Sequence, residues 1–242
     1  GSQGNTGVDF SDGNPHIHFN QWRNSDGGFR LSNDGALEGS DYATGSRTGP
    51  ISGNGSLMIG QEQDGLDNVG SWNQYFGGDM SEVIIFNSYL NEAQNVIIHN
   101  YLSSKYNIAL DTNDYYTYDL PADTFYHDVS GIGKIDNNNF HSAAMSANIL
   151  KVSDASELDA DDFLFFGHNG DSVENWTTDN TIDTNLAYQR VERTWRIEET
   201  NEAGNVTLAI DTSFLPSLPN GYVNYEIWLE NDNGDFVDGG VT

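Results

Sequence analysis

Cysteine is absent from all 242 residues, which excludes disulfides, thiolate metal sites and cysteine nucleophiles together. Basic residues are scarce: nine Lys and Arg stand against 37 Asp and Glu, a formal net charge of -28. A surface of that sign repels phosphate backbones and anionic lipid, because nucleic-acid affinity rests on Lys and Arg neutralising phosphates. No nucleic-acid partner is expected. Apolar runs are short throughout, well below the roughly 18 residues of a spanning helix, so membrane insertion is not expected either. The chain also lacks a G-x-S-x-G elbow, an H-E-x-x-H helix and a phosphate loop. The paired carboxylates of a jelly-roll glycosidase, with a Glu-x-Asp-x-x-Glu-like pattern, are missing as well. The chain therefore reads as a binding or structural protein and not as an enzyme.

What is abundant is glycine, at 26 residues, together with 12% aromatics, a composition suited to many short strands joined by tight turns. Up to about residue 90, apolar runs alternate with Gly, Asn and Asp: His16-Ile17-His18-Phe19, Phe29-Arg30-Leu31, Ser56-Leu57-Met58-Ile59 and Glu82-Val83-Ile84-Ile85-Phe86. Each is expected to be a strand, with turns at Asp26-Gly27-Gly28 and Asn33-Asp34-Gly35. One helix interrupts them. Asn91 can cap it, Gln94 stands three residues on as the capping-box partner, and Ala93, Val96, Ile97 and Tyr101 recur at helical spacing through about Tyr106. Beyond it Phe163-Leu164-Phe165-Phe166 reads as a strand buried on both faces, and Val206, Leu208 and Ile210, like Tyr225, Ile227 and Leu229, alternate with period two. The expectation is an all-β protein: an antiparallel jelly-roll-like sandwich over 1–108, closed by the helix, then a second, smaller β-sandwich over 109–242.

The sharpest local feature is Gly60-Gln61-Glu62-Gln63-Asp64-Gly65, with Gln74 ten residues beyond Asp64. Calcium takes six to eight hard oxygens. Glu62, Asp64, the Gln63 carbonyl and the Gln74 amide oxygen are ligands of the right type, and a divalent cation would relieve the self-repulsion of a chain this acidic. Halophilic solvation explains the acidity equally well.

The runs Pro15 to His18, Trp22 to Gly27, Leu57 to Asp64, Gln74 to Gly78 and Glu82 to Asn87 together resemble the C-terminal half of a pentraxin or laminin-G-like, concanavalin A-like jelly roll. The resemblance implies calcium (Ca2+) at Glu62, Gln63 (through its carbonyl), Asp64 and Gln74. It also implies that the metal bridges to a phosphorylated or carbohydrate ligand, and Trp72 and Tyr75 flank the loop where such a ligand would lie. Domains of that family run to twice this length and take an Asp-Asn pair of ligands from a first half for which this chain has no counterpart. An upstream half-domain of the same polypeptide is the expected partner; the opening Gly1-Ser2, which reads as an added dipeptide, agrees with a natural chain that extends upstream. The remainder resembles an uncharacterised sandwich region that follows laminin-G-like domains in large bacterial surface proteins. The segments that carry this resemblance are Lys105 to Ile108, His127 to Gly133, Phe163 to Asn169 and Arg193 to Thr200. Together the resemblances imply a calcium-dependent, carbohydrate-binding, lectin-like module of a secreted bacterial surface adhesin that binds a glycan. The alternative is a structural spacer in which calcium only rigidifies loops.

Weaker candidates have plainer explanations. His16 and His18 share one strand face, a spacing that could hold a transition metal but that ordinary strand packing accounts for. Glu230 to Asp235 lacks the register of a calcium loop and reads as a β-turn. Asp154, Asp159, Asp161 and Asp162 read as a solvated loop. Trp22, Trp176, Trp195 and Trp228 read as packing residues.

Overall fold

The computed structural model describes residues 12–25, 27–37, 57–61, 63–65, 68–69, 75–118, 124–179 and 188–229. Its strands form antiparallel sheets with one α-helix among the described residues, an all-β sandwich architecture as the alternating patterns predict. The chain divides into two units. The first holds His18–Asn33 and Leu37–Leu90; the second holds Ser11–Ile17, Asp34–Ala36 and Asn91–Thr242.

In the first unit β1 (His18–Arg23) and β2 (Gly28–Asn33) pair antiparallel, with Trp22 opposite Phe29 and Asn20 opposite Leu31. The turn between them is closed by Gly27 N–H donating to the Arg23 carbonyl at 2.9 Å. After β2, Asp34 (φ 46) and Gly35 (φ 85) supply the two consecutive positive φ angles of a two-residue hairpin turn into β3 (Ala36–Leu37). A second hairpin, β4 (Gln63–Gly65) with β5 (Asn68–Val69), lies in the Gln-Glu-Gln-Asp stretch.

The strand expected over Glu82 to Phe86, and that over Leu57 to Ile59, are not formed. Both runs have the composition of strands, but neither finds a ladder partner among the described residues, and an unpaired apolar run has no sheet to join. Val83, Ile84, Ile85 and Phe86 are all exposed.

The second unit is a three-layer arrangement built around one strand. Helix α1 (Glu92–Tyr106) begins at the capping box foreseen: Gln94 N–H donates to the Asn91 side chain at 2.9 Å, and Asn91 N–H donates to Gln94 Oε1 at 3.0 Å. It ends at Asn107 in the left-handed conformation, φ 53. The main sheet runs β13 (Trp195–Thr200), β10 (Asp162–His168), β6 (His127–Lys134), β7 (Phe140–His141). The facing sheet runs β14 (Thr207–Ile210), β9 (Leu150–Ser153), β8 (Ala143–Ser146). A separate hairpin joins β11 (Thr177–Asp179) to β12 (Tyr188–Arg190). The segment from Tyr225 to Leu229, expected as a strand, stays outside any sheet among the described residues, with Tyr225, Ile227 and Leu229 exposed.

Every residue of β10 is buried. Phe163 and Phe165 point to the helix side, where they pack with Ala93, Val96, Ile97, Tyr116 and Val129. Leu164 and Phe166 point to the facing sheet and pack with Ile132, Leu150, Val152 and Ala203. Burial of each such side chain is worth about 2 kcal/mol. The helix thus sits with the second unit, whereas the sequence placed it at the end of the first. Its apolar stripe is matched to the Phe163–Phe165 face and not to the strands that precede it.

The helix also buries polar residues, and most of them find partners nearby, although the Asn95 side-chain oxygen has none among the described residues. His99 donates through Nδ1 to the Asn95 carbonyl at 2.7 Å, and Ser104 donates to the Asn100 carbonyl at 2.7 Å. Asn100, 1% exposed, uses its whole amide: it donates to the carbonyls of Val96 (2.9 Å) and Asn113 (2.8 Å) and accepts from Tyr115 and Tyr116 N–H. One side chain therefore ties the helix to the segment that leads into β6.

Gly131 and Gly133 of β6 lie opposite Phe165 and Phe163. A Cβ on Gly133 would stand 2.1 Å from the Phe163 ring, and one on Gly131 would stand 2.8 Å from the Phe165 ring. The two rings lie over bare backbone, a fit only glycine permits. Gly133→Ala is expected to lower stability by about 2 to 3 kcal/mol, the usual effect of overpacking a tight core. Gly131→Ala should do the same to a smaller degree. Chemical denaturation of the two variants beside the parent checks both the loss and its order.

Candidate functional site

The loop that carries the oxygen-rich motif is closed at its base by backbone pairing. Gln61 and Tyr75 form an antiparallel bridge, and Phe76 N–H donates to the Gly60 carbonyl at 2.8 Å. Gly60 takes φ 77, which glycine adopts without steric cost. Inside this closure the hairpin of β4 with β5 pairs Gln63 with Val69 and Gly65 with Asn68, with an irregularity between them that falls at Asp64. Of the expected ligands, Gln63 and Asp64 lie on β4. Glu62, Gln74 and Trp72 lie outside the described residues. Tyr75 is 67% exposed at the mouth of the loop. The bridge joins the residue before Glu62 to the residue after Gln74, so the loop containing all four oxygen donors begins and ends at one point.

The two-histidine alternative is resolved differently. His16 is held between two carboxylates, Nδ1 at 2.7 Å from Asp34 Oδ2 and Nε2 at 3.1 Å from Asp12 Oδ1. Asp34 is fixed in turn by Ile17 N–H at 2.7 Å. His18 is exposed on β1. Among the described residues no group of three or more His, Asp or Glu could hold a metal ion.

The second unit contains a constellation that the sequence did not announce. His168, 3% exposed at the end of β10, stacks against His127 with ring centres 5.6 Å apart, and His127 stacks on Tyr126 at 4.2 Å. Trp195 meets His168 edge-on at 6.0 Å. Gly170 N–H donates to His168 Nδ1 at 2.9 Å, which requires that nitrogen to be bare. Nε2 therefore carries the proton and donates to Asp128 Oδ2 at 2.9 Å. Asp128 has φ 46 in a strand, at the register shift between Phe166 and His168. The bulge re-aims its carboxylate. Both imidazole nitrogens are thus engaged, so His168 is positioned to lock the neutral ring in place and has no lone pair left for a metal or for proton abstraction. The only sequence signal was a histidine ending an apolar strand, and its partner Asp128 lies forty residues away.

The remaining sequence candidates serve the fold. Asp162 accepts Asp159 N–H at 2.7 Å, and Asp154 accepts the Ser153 hydroxyl at 2.9 Å. Trp176 donates to the Ser217 carbonyl at 2.9 Å and packs on Tyr225. Trp22 lies half-buried on β1. The stretch Glu230 to Asp235 lies outside the described residues.

Comparison with known proteins gives a match of residues 94–242 to the model of a family described as a domain of unknown function, DUF8202. No curated protein and no solved structure matches the chain.

The two engaged histidines titrate in opposite senses. Hydrogen bonds to Asp34, then Asp12, raise His16 above the ordinary 6.5, while burial, outweighing the Asp128 bond, lowers His168 below it. Asp12 is held down at about 2, chiefly by the backbone N–H and side chain of Asn14. By linkage the His16 contribution is complete below 6.5 and lost as pH rises through its raised value. The His168 contribution is complete above 6.5 and lost as pH falls through its lowered value. Asp12 contributes above the ordinary carboxylate value and loses its contribution as pH falls towards 2. Proton NMR titration of the imidazoles should give midpoints on either side of 6.5, His16 above and His168 below. Coincident midpoints would contradict the assigned partners.

Proposed function

The chain belongs to the DUF8202 family, whose model spans its second unit from Gln94 onward, and from that premise we propose that the first unit supplies the recognition. In this reading the chain is a calcium-dependent binding module of a secreted, cell-surface bacterial adhesin. Glu62, Asp64, the Gln63 carbonyl and Gln74 hold Ca2+, and the ion engages a glycan beside Trp72 and Tyr75. The observation that carries it is the Gln61–Tyr75 bridge with the Phe76-to-Gly60 hydrogen bond, which closes the loop at its base. A loop whose ends are already joined presents its oxygens to a cation with less ordering entropy left to lose. Calcium takes hydroxyl or phosphate oxygens in its open positions without redox chemistry. The excess of 37 carboxylates over nine basic side chains favours uptake of a divalent cation.

A second reading is favoured by the exposed run Val83 to Phe86 with Leu57, Ile59 and Phe76, also exposed. A concentration of exposed apolar side chains of this kind is what a face covered by another element would show. An upstream half-domain of the same polypeptide is the partner that would complete the sandwich, and the chain would then be a scaffold whose calcium rigidifies the loop.

Titrating calcium into chelator-treated protein is expected to release or absorb heat with micromolar to millimolar affinity, as extracellular and sensor sites do. At a hundredfold excess over Kd the ion should add about 2.7 kcal/mol of stability. Glu62→Ala and Asp64→Ala should each weaken the ion at least tenfold. A glycan array then separates the readings: calcium-dependent hits that vanish on Glu62→Ala support recognition, and calcium-dependent melting without hits supports the scaffold. No heat at millimolar calcium defeats both.

A further inference from the structure

The chain has three lysines, Lys105, Lys134 and Lys151, and two of them line one cavity in the second unit. This cavity, of about 480 Å3, is bordered by Lys134, Asn137, Phe140, Ser142, Lys151 and Asp154, among others. Lys134 leaves the end of β6 half-buried, and its ammonium is fixed by donating to the Leu158 carbonyl at 3.1 Å. Lys151 stands exposed on β9. Among the described residues neither ammonium has a carboxylate within ion-pair distance, although acidic residues outnumber basic ones fourfold. Asp154, the carboxylate at the rim, accepts the Ser153 hydroxyl instead. Phe140, 47% exposed, offers an aromatic face beside the Ser142 hydroxyl and the Asn137 amide.

The geometry points to an anion-binding groove for an acidic saccharide, one that carries a carboxylate, independent of calcium and of the first unit's loop. Two ammonium groups with no carboxylate partner among the described residues would hold the carboxylate through charge-assisted hydrogen bonds. The exposed ring supplies apolar area for the C–H face of a pyranose. Asn137, Ser142 and the second oxygen of Asp154 match the hydroxyls. A bare inorganic anion would use the lysines and leave the ring and the acceptor oxygen unanswered. The rest of the acidic surface opposes anions only within about 8 to 10 Å at physiological salt, so the near lysines dominate at the groove.

The test is calorimetry on the full chain in EDTA, with trigalacturonate as probe and galactotriose and inorganic phosphate as comparators. Binding of trigalacturonate is expected, with galactotriose at least tenfold weaker. Lys151→Ala should weaken the acidic trimer at least tenfold and Phe140→Ala about fivefold. The Lys151 side chain is exposed and makes no hydrogen bond or ion pair among the described residues, so an unchanged melting temperature confirms that its variant is intact. The inference is overturned if the trimer does not bind at millimolar concentration, or if Lys151→Ala binds it as the parent does. It is equally overturned if phosphate binds as tightly with Phe140→Ala unchanged, or if binding appears only when calcium is restored, which would assign it to the loop of the first unit.

Discussion

The second unit depends on the complete burial of one strand. From Asp162 to His168 every residue of β10 is buried, so both faces of the strand must be covered and the layers on either side follow. Helix α1 covers Phe163 and Phe165, and the sheet of β8, β9 and β14 covers Leu164 and Phe166. The covering is possible because the neighbouring strand gives way. Gly131 and Gly133 leave bare backbone under the two rings, while Ile132 between them fills the opposite face. Alternation of glycine and isoleucine on β6 is thus the complement of alternation on β10. Neither strand can change face without placing a Cβ inside a phenyl ring.

Local signals were legible where they act locally. The Asn91–Gln94 capping box, the period-two run at Val206 to Ile210 and the doubly buried Phe163 to Phe166 all stand in the structure as their residue types require. Signals that need a distant partner were not. Val83 to Phe86 and Tyr225 to Leu229 have the composition of strands, but a strand exists only when another backbone accepts its hydrogen bonds, and none does among the described residues. The helix was legible as a helix, yet its membership was not, because the sequence shows an apolar stripe and not the Phe163–Phe165 face it meets. Asn100 gave no signal at all. Its four hydrogen bonds reach to Asn113 and Tyr116, and only the fold brings those groups together.

The candidate sites divide along the same line. The Gln-Glu-Gln-Asp motif was visible because its donors are neighbours in sequence, and the structure adds the closure of the loop at Gln61 and Tyr75. The lysine groove was invisible: Lys134 and Lys151 are seventeen residues apart on strands of different sheets, and each alone is an unremarkable surface cation. His168 shows the same limit from the other side. Its tautomer is dictated by Gly170 and Asp128, two groups that approach the ring from a turn and from a bulged strand.

Charge gives the two proposed sites their opposite character. With a net charge of -28, a cluster of oxygens is the ordinary condition of this surface, and a cation site differs from its surroundings only by how well the oxygens are organised. Loop closure therefore matters more than carboxylate number at Asp64. A pair of ammonium groups without carboxylate partners is the reverse case, since every excess acid is an available partner and yet none stands beside Lys134 or Lys151 among the described residues. Screening confines each contrast to its own neighbourhood, over about 8 Å at physiological ionic strength. Bulk acidity thus opposes the extended polyanions that need many contacts at once, while leaving a short acidic ligand governed by the few groups it touches.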